Sequence, residues 1–559
     1  MTPSTGGCGP YYNLLSSCVV CPERLDVSDL GPDCKKFEVS KDYLDMILSG
    51  APCEQEVKQH VGASQIFPLL HHGNYRTPTI KHHCFKTSIS SSRRACSNKV
   101  MPNGHTVEGF ARWFRRKYIP KFLNIYEQGP RKVNIKEWER KYTQNYADKI
   151  EESISNDVIR PKVSPWYKAF SKSEQQFTQA AWYDKETPIN NVKERQICGP
   201  SDQKKAYANA FVNILEGIAH EGLPQYCGRK NWIEICATLE KGMVDIGEIL
   251  FSPGDGGGFD MTQKRVMNEL MNELIMACAN SSVTDWDEPL NAEWVREALE
   301  VSLTLLVTMD NGKIVYETEG RASGDGWTTF GNTMLMIAYY EYTLYMAGIT
   351  KYVLLVKGDD VLIGLRPQDI AVFTHWHAKH FVYSKDPAVH GLGQVADPLV
   401  WGPITSCSFL SNHFFYSDSE HLRMTRIPAR IIQSNSWSTK MVEFLGTKKE
   451  NQVRRELCYS KGKSLLAWAT GLPIWEALGQ KMVALGQEGK HTEYDQYADK
   501  ARVWHKNEDR KSYLVYLQDN YGVTESMVQR MERTINSITH LDGFARIPDF
   551  ELFYSTTAA

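Results

Sequence analysis

Apolar and polar positions along this 559-residue chain follow two periods, one suited to strands and one to helices. The apolar run Ile249-Leu250-Phe251 leads to Asp255, three glycines and Asp260, and a helical apolar pattern follows from about Met261. That order predicts strand, turn and helix. Farther on, Tyr352–Val356 and Val361–Ile363 are apolar runs separated by Lys357-Gly358-Asp359-Asp360, which predicts a hairpin whose tight turn begins at glycine. The run from Thr333 predicts a long buried helix. A helical pattern also spans Gly104 to Lys149, and short strands mix with helices over residues 160–242. Periodic stretches at Thr439–Leu445, Pro473–Leu485 and Met527–Ile538 predict a helical C-terminal region. The opening 80 residues, rich in Gly, Pro, Cys and Ser, read as an irregular extension. Met334–Val356, the most apolar stretch, is broken by Glu341 and Lys351, so no membrane span is expected.

Composition changes this picture in one respect. At roughly 150 residues per domain the chain holds three or four domains, and its 42% apolar and 23% charged residues exclude wholesale disorder. The net charge of −2 argues at first against a nucleic-acid partner. Resolved by region, residues 81–150 carry 16 Lys and Arg against 5 Asp and Glu, and residues 243–370 carry 8 against 20. Neutrality is therefore a cancellation of a basic and an acidic block. Within the basic block, Arg112-Trp-Phe-Arg-Arg-Lys-Tyr118 interleaves aromatics with cations, as a groove that grips phosphates and stacks bases would. The competing reading is a solvated amphipathic helix. Thirteen cysteines and an N-terminus without a basic or apolar leader point to a reducing compartment with free thiols. Cys18, Cys21, Cys34 and Cys53, with His71, His72, His82, His83 and Cys84, lack the tight second pair of a zinc site. His375, His377 and His380 are expected on a solvated or partly packed helix face.

Three segments carry the chemistry. A carboxylate at the end of a strand, Asp255, is held rigidly, and Asp260 lies close to the same crevice. Ser323-Gly324-Asp325-Gly-Trp-Thr328-Thr-Phe-Gly331-Asn332 is a glycine-rich loop leading into a helix, and Thr328 and Asn332, four apart, share a helix face suited to reading a ribose. The hairpin tip presents Asp359 and Asp360. Hard oxygen ligands of this kind suit Mg²⁺, and two ions about 3.5–4 Å apart would stabilise attacking and leaving oxygens in phosphoryl transfer. Each segment alone is weak evidence; their conjunction in this order is the signal.

Together these segments resemble motifs A, B and C of the RNA-dependent RNA polymerases of positive-strand RNA viruses, most like the tombusvirus- and nodavirus-related group. The resemblance implies an α+β right-hand fold of fingers, palm and thumb, with an antiparallel palm sheet and a helical thumb. It implies residues 1–80 as an extension, 81–242 as fingers, 243–415 as palm with an inserted fingers segment near 280–320, and 416–559 as thumb. Asp255, Asp359 and Asp360 would be catalytic and would hold Mg²⁺, with Mn²⁺ as the alternative ion. Asp260, Ser323, Gly324, Thr328 and Asn332 would bind the substrate and select ribonucleotides through the 2′-hydroxyl. Lys193-Glu-Arg195-Gln-Ile197-Cys-Gly-Pro200 resembles the fingers motif in which Lys193 and Arg195 would grip the triphosphate. Ser406–Ser411 with Arg426-Ile-Pro428 resembles the palm–thumb hairpin, motif E. The glycine run 256–258 is unusual for motif A and suggests a flexible strand end. The motif D lysine has two candidates, Lys379 and Lys385.

The implied function is RNA-templated RNA synthesis for genome replication and transcription, with template, nascent RNA and NTPs as partners. The expected setting is the host cytoplasm, at a membrane-associated replication complex reached through a viral or host tethering factor. A reverse transcriptase would share the carboxylates, but Thr328 and Asn332 speak against it. A non-catalytic RNA-binding replication factor would have no need to retain mutually repelling carboxylates. If the 112–118 cluster binds RNA, replacing Arg115, Arg116 and Lys117 with Ala is expected to weaken binding and flatten its dependence on salt. An unchanged slope of log affinity against log salt would return the cluster to a solvated helix.

Overall fold

Hydrogen-bond pairing of short apolar runs organises the chain in the computed structural model, which describes residues 34–42, 45, 64–65, 85–97, 100–129, 148, 163–171, 196–281, 291–383, 391–438, 441, 444–490 and 509–555. In chain order the elements begin with β1 (Lys36–Val39), α1 (Phe85–Ala95), α2 (Gly104–Trp113), α3 (Ile119–Gln128), β2 (Trp166–Ser171) and β3 (Gln196–Gly199). Next come α4 (Asp202–Gly222), α5 (Trp232–Ile246), β4 (Leu250–Gly254), α6 (Arg265–Ser281) and α7 (Ala292–Glu300). They are followed by β5 (Leu305–Met309), β6 (Ile314–Thr318), α8 (Thr328–Met346), β7 (Val353–Lys357), β8 (Asp360–Leu365) and α9 (Pro367–His380). The C-terminal part holds β9 (Ser408–Phe409), β10 (Asn412–Tyr416), β11 (Leu422–Arg426), α10 (Glu450–Ala469), α11 (Trp475–Leu485), α12 (Arg510–Tyr521) and α13 (Glu525–Ser537). The class is α+β.

Among the described residues the strands form a five-stranded sheet in the order β1-β6-β5-β2-β3, with β2 and β5 parallel, and the antiparallel three-stranded sheets β4-β8-β7 and β9-β10-β11. The β7 and β8 runs are apolar without alternation because both faces of their sheet are covered. Leu354, Val356, Val361 and Ile363 join the core around α8, whereas Val353, Leu355 and Leu362 join a second core with Ile235 and Leu239 of α5 and Phe414 of β10. Every residue of α8 from Phe330 to Leu344 is buried. A helix apolar on all sides belongs inside, and α8 is the axis of the largest core. The C-terminal helices enclose a third core centred on Trp475, whose Nε1 donates to Tyr513 Oη at 2.7 Å.

Several expectations shift in detail. The helix expected from Met261 begins at Arg265, after one short helical turn at Phe259–Thr262, and α8 begins at Thr328 rather than Thr333. Between α2 and α3 the helix widens into a π turn at Phe114–Tyr118. Phe114 and Tyr118 point into the core, and Tyr118 Oη donates to the Met334 carbonyl at 3.0 Å, so these rings are not exposed for stacking on bases. Arg112, Arg116 and Lys117 face solvent, and Arg115 is held by Glu273 through two 2.7 Å bonds. Of glycines 256–258, expected to be flexible, Gly256 and Gly257 are instead docked on the chain's own backbone, at Asp359 and Val395. Of the zinc-site candidates only Cys34 lies among the described residues, and it is a free thiol. Lys385 lies outside them. No helix among the described residues is long and apolar enough to cross a membrane.

The α9 histidines correct a further expectation. His377 is buried between Tyr383 Oη (2.9 Å) and Tyr340 Oη (3.2 Å), and buried His380 meets Thr343 Oγ1 at 2.8 Å; His375 alone of the three is exposed. Burial, with His380 nearby, pushes His377 down to about 3, and burial, with Lys379 nearby, pushes His380 down to about 4. Burial also pushes His413, bonded to Tyr516 Oη at 3.0 Å, down to about 4. In the unfolded chain these imidazoles bind protons near pH 6.5. Their stabilising effect is therefore complete above that pH and is lost as pH falls toward their folded values. Between pH 6.5 and 5 each is expected to cost about 1.5 kcal/mol. Melting temperature should drop steeply over that interval, and His377→Asn combined with His413→Asn should flatten the slope.

Candidate active site

The register of the β4-β8-β7 sheet brings the acidic segments together. Gly254, the last residue of β4, pairs with Val361, and Lys357 pairs with Asp360 across the hairpin turn. One residue beyond Gly254, Asp255 emerges exposed beside Asp360. The backbone N–H of Gly256 donates to the Asp359 carbonyl at 3.2 Å, and a Cβ on Gly256 would lie 3.0 Å from Asp359 Cβ. Gly257 N–H donates to the Val395 carbonyl at 3.0 Å. Gly358 takes φ +65° in the first position of the two-residue turn, a conformation that favours glycine, and its N–H donates to Thr333 Oγ1 of α8 at 2.8 Å. Strand end, hairpin tip and buried helix are thus joined backbone to backbone and backbone to side chain.

Electrostatics at this point favour a cation. Burial above all, then the charges of Asp359 and Asp255, push the Asp360 carboxyl up to about 7, with Lys357 opposing. Asp397, which the motifs did not indicate, lies beside them: its N–H donates to the Asp255 carbonyl at 3.4 Å, next to the Gly256–Ala396 bridge. No three His, Cys, Asp or Glu side chains among the described residues are gathered closely enough to hold an ion by themselves. The oxygen-only donors do fit Mg²⁺, which commonly takes one or two carboxylates and completes its shell with water and substrate phosphates.

Beside the carboxylates lies the glycine-rich loop. Asn332 Nδ2, on the first turns of α8, donates to Asp260 Oδ1 at 2.6 Å. The Arg321 N–H donates to the Asp260 carbonyl at 2.8 Å, and the buried Arg321 guanidinium donates to Asn268 Oδ1 at 2.8 Å. Thr328 does not meet Asp260; its hydroxyl donates to the Ala322 carbonyl at 2.5 Å and closes the loop. Ser323 Oγ donates to the Gln196 carbonyl at 2.9 Å, and Gly324 packs so closely on β3 that a Cβ there would sit 2.5 Å from the Cys198 carbonyl oxygen. Lys193 and Arg195 lie outside the described residues, which resume at Gln196.

The structure therefore gathers Asp255, Asp359 and Asp360 at one corner and pairs Asp260 with Asn332. It joins Ser323 and Gly324 to β3. The sequence reading missed Asp397, Arg321 and a buried pair, Lys204 with Asp325. Only the last had a visible signal, since Asp325 stands inside a loop already singled out. Lys379, a motif D candidate, lies with its Nζ 4.5 Å from the Trp376 ring centroid.

Residues 295–512 match the family described as viral RNA dependent RNA polymerase, a span that includes the glycine-rich loop and the hairpin. A genome polyprotein of Lettuce mosaic virus (strain 0 / isolate French) is 22% identical over 224 residues, covering 38% of this chain and 6% of the polyprotein. The genome polyprotein of Blackberry virus Y is 25% identical over 193 residues, covering 33% of this chain and 5% of that protein. The chain thus spans a small fraction of the length of these relatives. They leave the tombusvirus- and nodavirus-related grouping as an expectation. Residues 295–512, the span that holds the glycine-rich loop and the acidic hairpin, are thus similar to the viral RNA-dependent RNA polymerase family.

Proposed function

We propose that this chain synthesises RNA on an RNA template for viral genome replication and transcription, joining the 3′-hydroxyl of the growing strand to the α-phosphate of a templated NTP as pyrophosphate leaves. The observation that carries this reading is the meeting of Asp255 with Asp359 and Asp360 beside the Asp260–Asn332 pair. Asp255, Asp359 and Asp360 would hold two Mg²⁺ or Mn²⁺ ions, which when bound lower the pKa of the 3′-hydroxyl and neutralise charge on the triphosphate.

The chain's own groups position and select. Asn332 holds the Asp260 carboxylate in one orientation, where it accepts from a ribose 2′-hydroxyl. Ser323, Gly324 and Thr328 keep the loop against β3 and the start of α8, so the sugar is read at a fixed height above the carboxylates. Lys193 and Arg195, just before β3, grip the triphosphate. Rigid placement of both reactants is itself a large part of the rate.

In this reading residues 81–242 are fingers, 243–415 palm and 416–559 thumb, with 1–80 as an extension. Supporting the inserted fingers segment, β5 and β6 pair with β2 and β1 rather than with the carboxylate-bearing sheet. The β9-β10-β11 sheet, with Phe415 in the C-terminal core, fits a palm–thumb bridge. RNA template, nascent RNA and NTPs are the partners. Work in the host cytoplasm at a membrane would need a separate tethering factor.

Purified protein with Mg²⁺, an RNA template and labelled NTPs is expected to yield template-length RNA. Equal incorporation from dNTPs would point to a reverse transcriptase and overturn the assignment. Asp359→Ala should reduce incorporation by on the order of 10³-fold or more while RNA binding is kept. Synthesis at the wild-type rate in that variant would take these carboxylates out of the reaction.

A further inference from the structure

Four consecutive residues of the 323–326 loop dock on successive points of the 196–209 segment. Ser323 bonds the Gln196 carbonyl and accepts from the Cys198 N–H, and Gly324 lies against Cys198 and Gly199. Asp325 meets Lys204, and Gly326 packs so tightly on the Asn209 side chain that no Cβ would fit. Lys204 and Asp325 are both fully buried. Lys204 Nζ lies 3.5 Å from Asp325 Oδ1 and 3.9 Å from the Tyr167 ring centroid, while Tyr167 Oη donates to Asp325 Oδ2 at 3.0 Å. Trp327 covers the pair, its ring centroid 5.3 Å from Nζ.

The polymerase reading gives this pair no task, and stability alone is a poor reason for it. Burying two charges is costly, and an apolar pair of the same volume commonly serves stability as well or better. Burial pushes Lys204 down to about 8 and raises Asp325, while each draws the other back toward its charged form. What the pair supplies is a single register. Asp325 has one oxygen assigned to Lys204 and the other to Tyr167, so the loop cannot shift without breaking one of them. The Asp325 N–H donates to the Ala322 carbonyl, and the Asp325 carbonyl accepts from the Thr328 N–H at 3.1 Å, so the place of Asp325 sets where α8 starts. That start carries Asn332 to Asp260. Lys204 itself stands on the first turn of α4, directly after β3 and the segment holding Lys193 and Arg195.

Resting on that reading, we propose that Lys204 is a positioning residue for sugar selection. Through Asp325 it ties the loop that reads the 2′-hydroxyl to β3 and the start of α4, so that the loop and Asn332 behind it meet the sugar in a single register.

The test uses the full-length protein on a primed RNA template. It measures kcat and KM for one templated NTP and for its 2′-deoxy analogue, with Tm recorded alongside. Lys204→Met leaves Asp325 buried without its cation and is expected to lower Tm. It should also reduce the ratio of kcat/KM for NTP over dNTP by about tenfold, chiefly through KM for the NTP. The double variant, Lys204→Met with Asp325→Asn, removes both charges. It should recover Tm while the ratio stays low, and it carries the test where the single variant does not fold. A double variant with the wild-type ratio overturns the proposal, as do equal losses for NTP and dNTP in both variants. A wild-type protein that adds no nucleotide overturns the polymerase reading itself, and this inference with it.

Discussion

Like charges at the end of one strand and the tip of the adjoining hairpin repel each other, and the rest of the structure is arranged to hold them in place. Asp360 shows the strain most directly: burial, Asp359 and Asp255 all favour its protonated form. The repulsion is opposed by register. Leu354 and Val356 face one core, and Val353 and Leu355 face another. A slip of one residue in the β7–β8 pairing would exchange every side chain between the two cores, so the cores fix the position of the turn. The same interlock explains why the strands carry no polar alternation. A cation placed among these carboxylates would relieve the repulsion that the fold maintains.

α8 couples this corner to its surroundings. Its few buried polar groups each hold a different neighbour: Asn332 the Asp260 carboxylate, Thr333 the turn amide of Gly358, Thr343 the His380 ring. Glu341 accepts from Lys121 of α3 at 2.6 Å and from Gln225 at 3.3 Å. A buried polar group left unpaired would cost far more than the pair gains, so these contacts specify the rotation and height of the helix. The Asp260–Asn332 pair and the carboxylate corner are consequently tied to one helix.

The legible part of the sequence was the local part. Strand, glycine turn and strand around Asp359, and the loop running into a helix at Thr328, are written in contiguous residues. Asp397, Arg321 and Lys204 act through partners distant in sequence, and no local pattern marks them. The 112–118 cluster is a different case, because its signal was present and was outweighed by the cations. Phe110, Phe114, Tyr118, Phe122 and Tyr126 recur every four residues, and all are buried. On an α-helix each such step over-rotates by about 40°, so the stripe would wind off the core. The wider π turn at Phe114–Tyr118 absorbs that drift and keeps all five rings inward.

Glycine near the carboxylates was the feature most open to misreading. A run of three suggests mobility, yet Gly256 and Gly257 are bonded to Asp359 and Val395, and Gly324 and Gly326 lie where any side chain would collide with β3 or α4. Gly331 likewise admits the Arg321 guanidinium, which lies 1.7 Å from where a Cβ would be. In each case the missing side chain allows backbone to approach backbone or a charged group, and the contact that follows removes the freedom glycine would otherwise have. Loops built this way are set before substrate arrives. Preorganised dipoles and carboxylates need little rearrangement during reaction, which is where electrostatic catalysis gains most. The absence of side chains here is therefore a source of rigidity, and the strand end that carries Asp255 is tethered through the Gly256 and Gly257 amides.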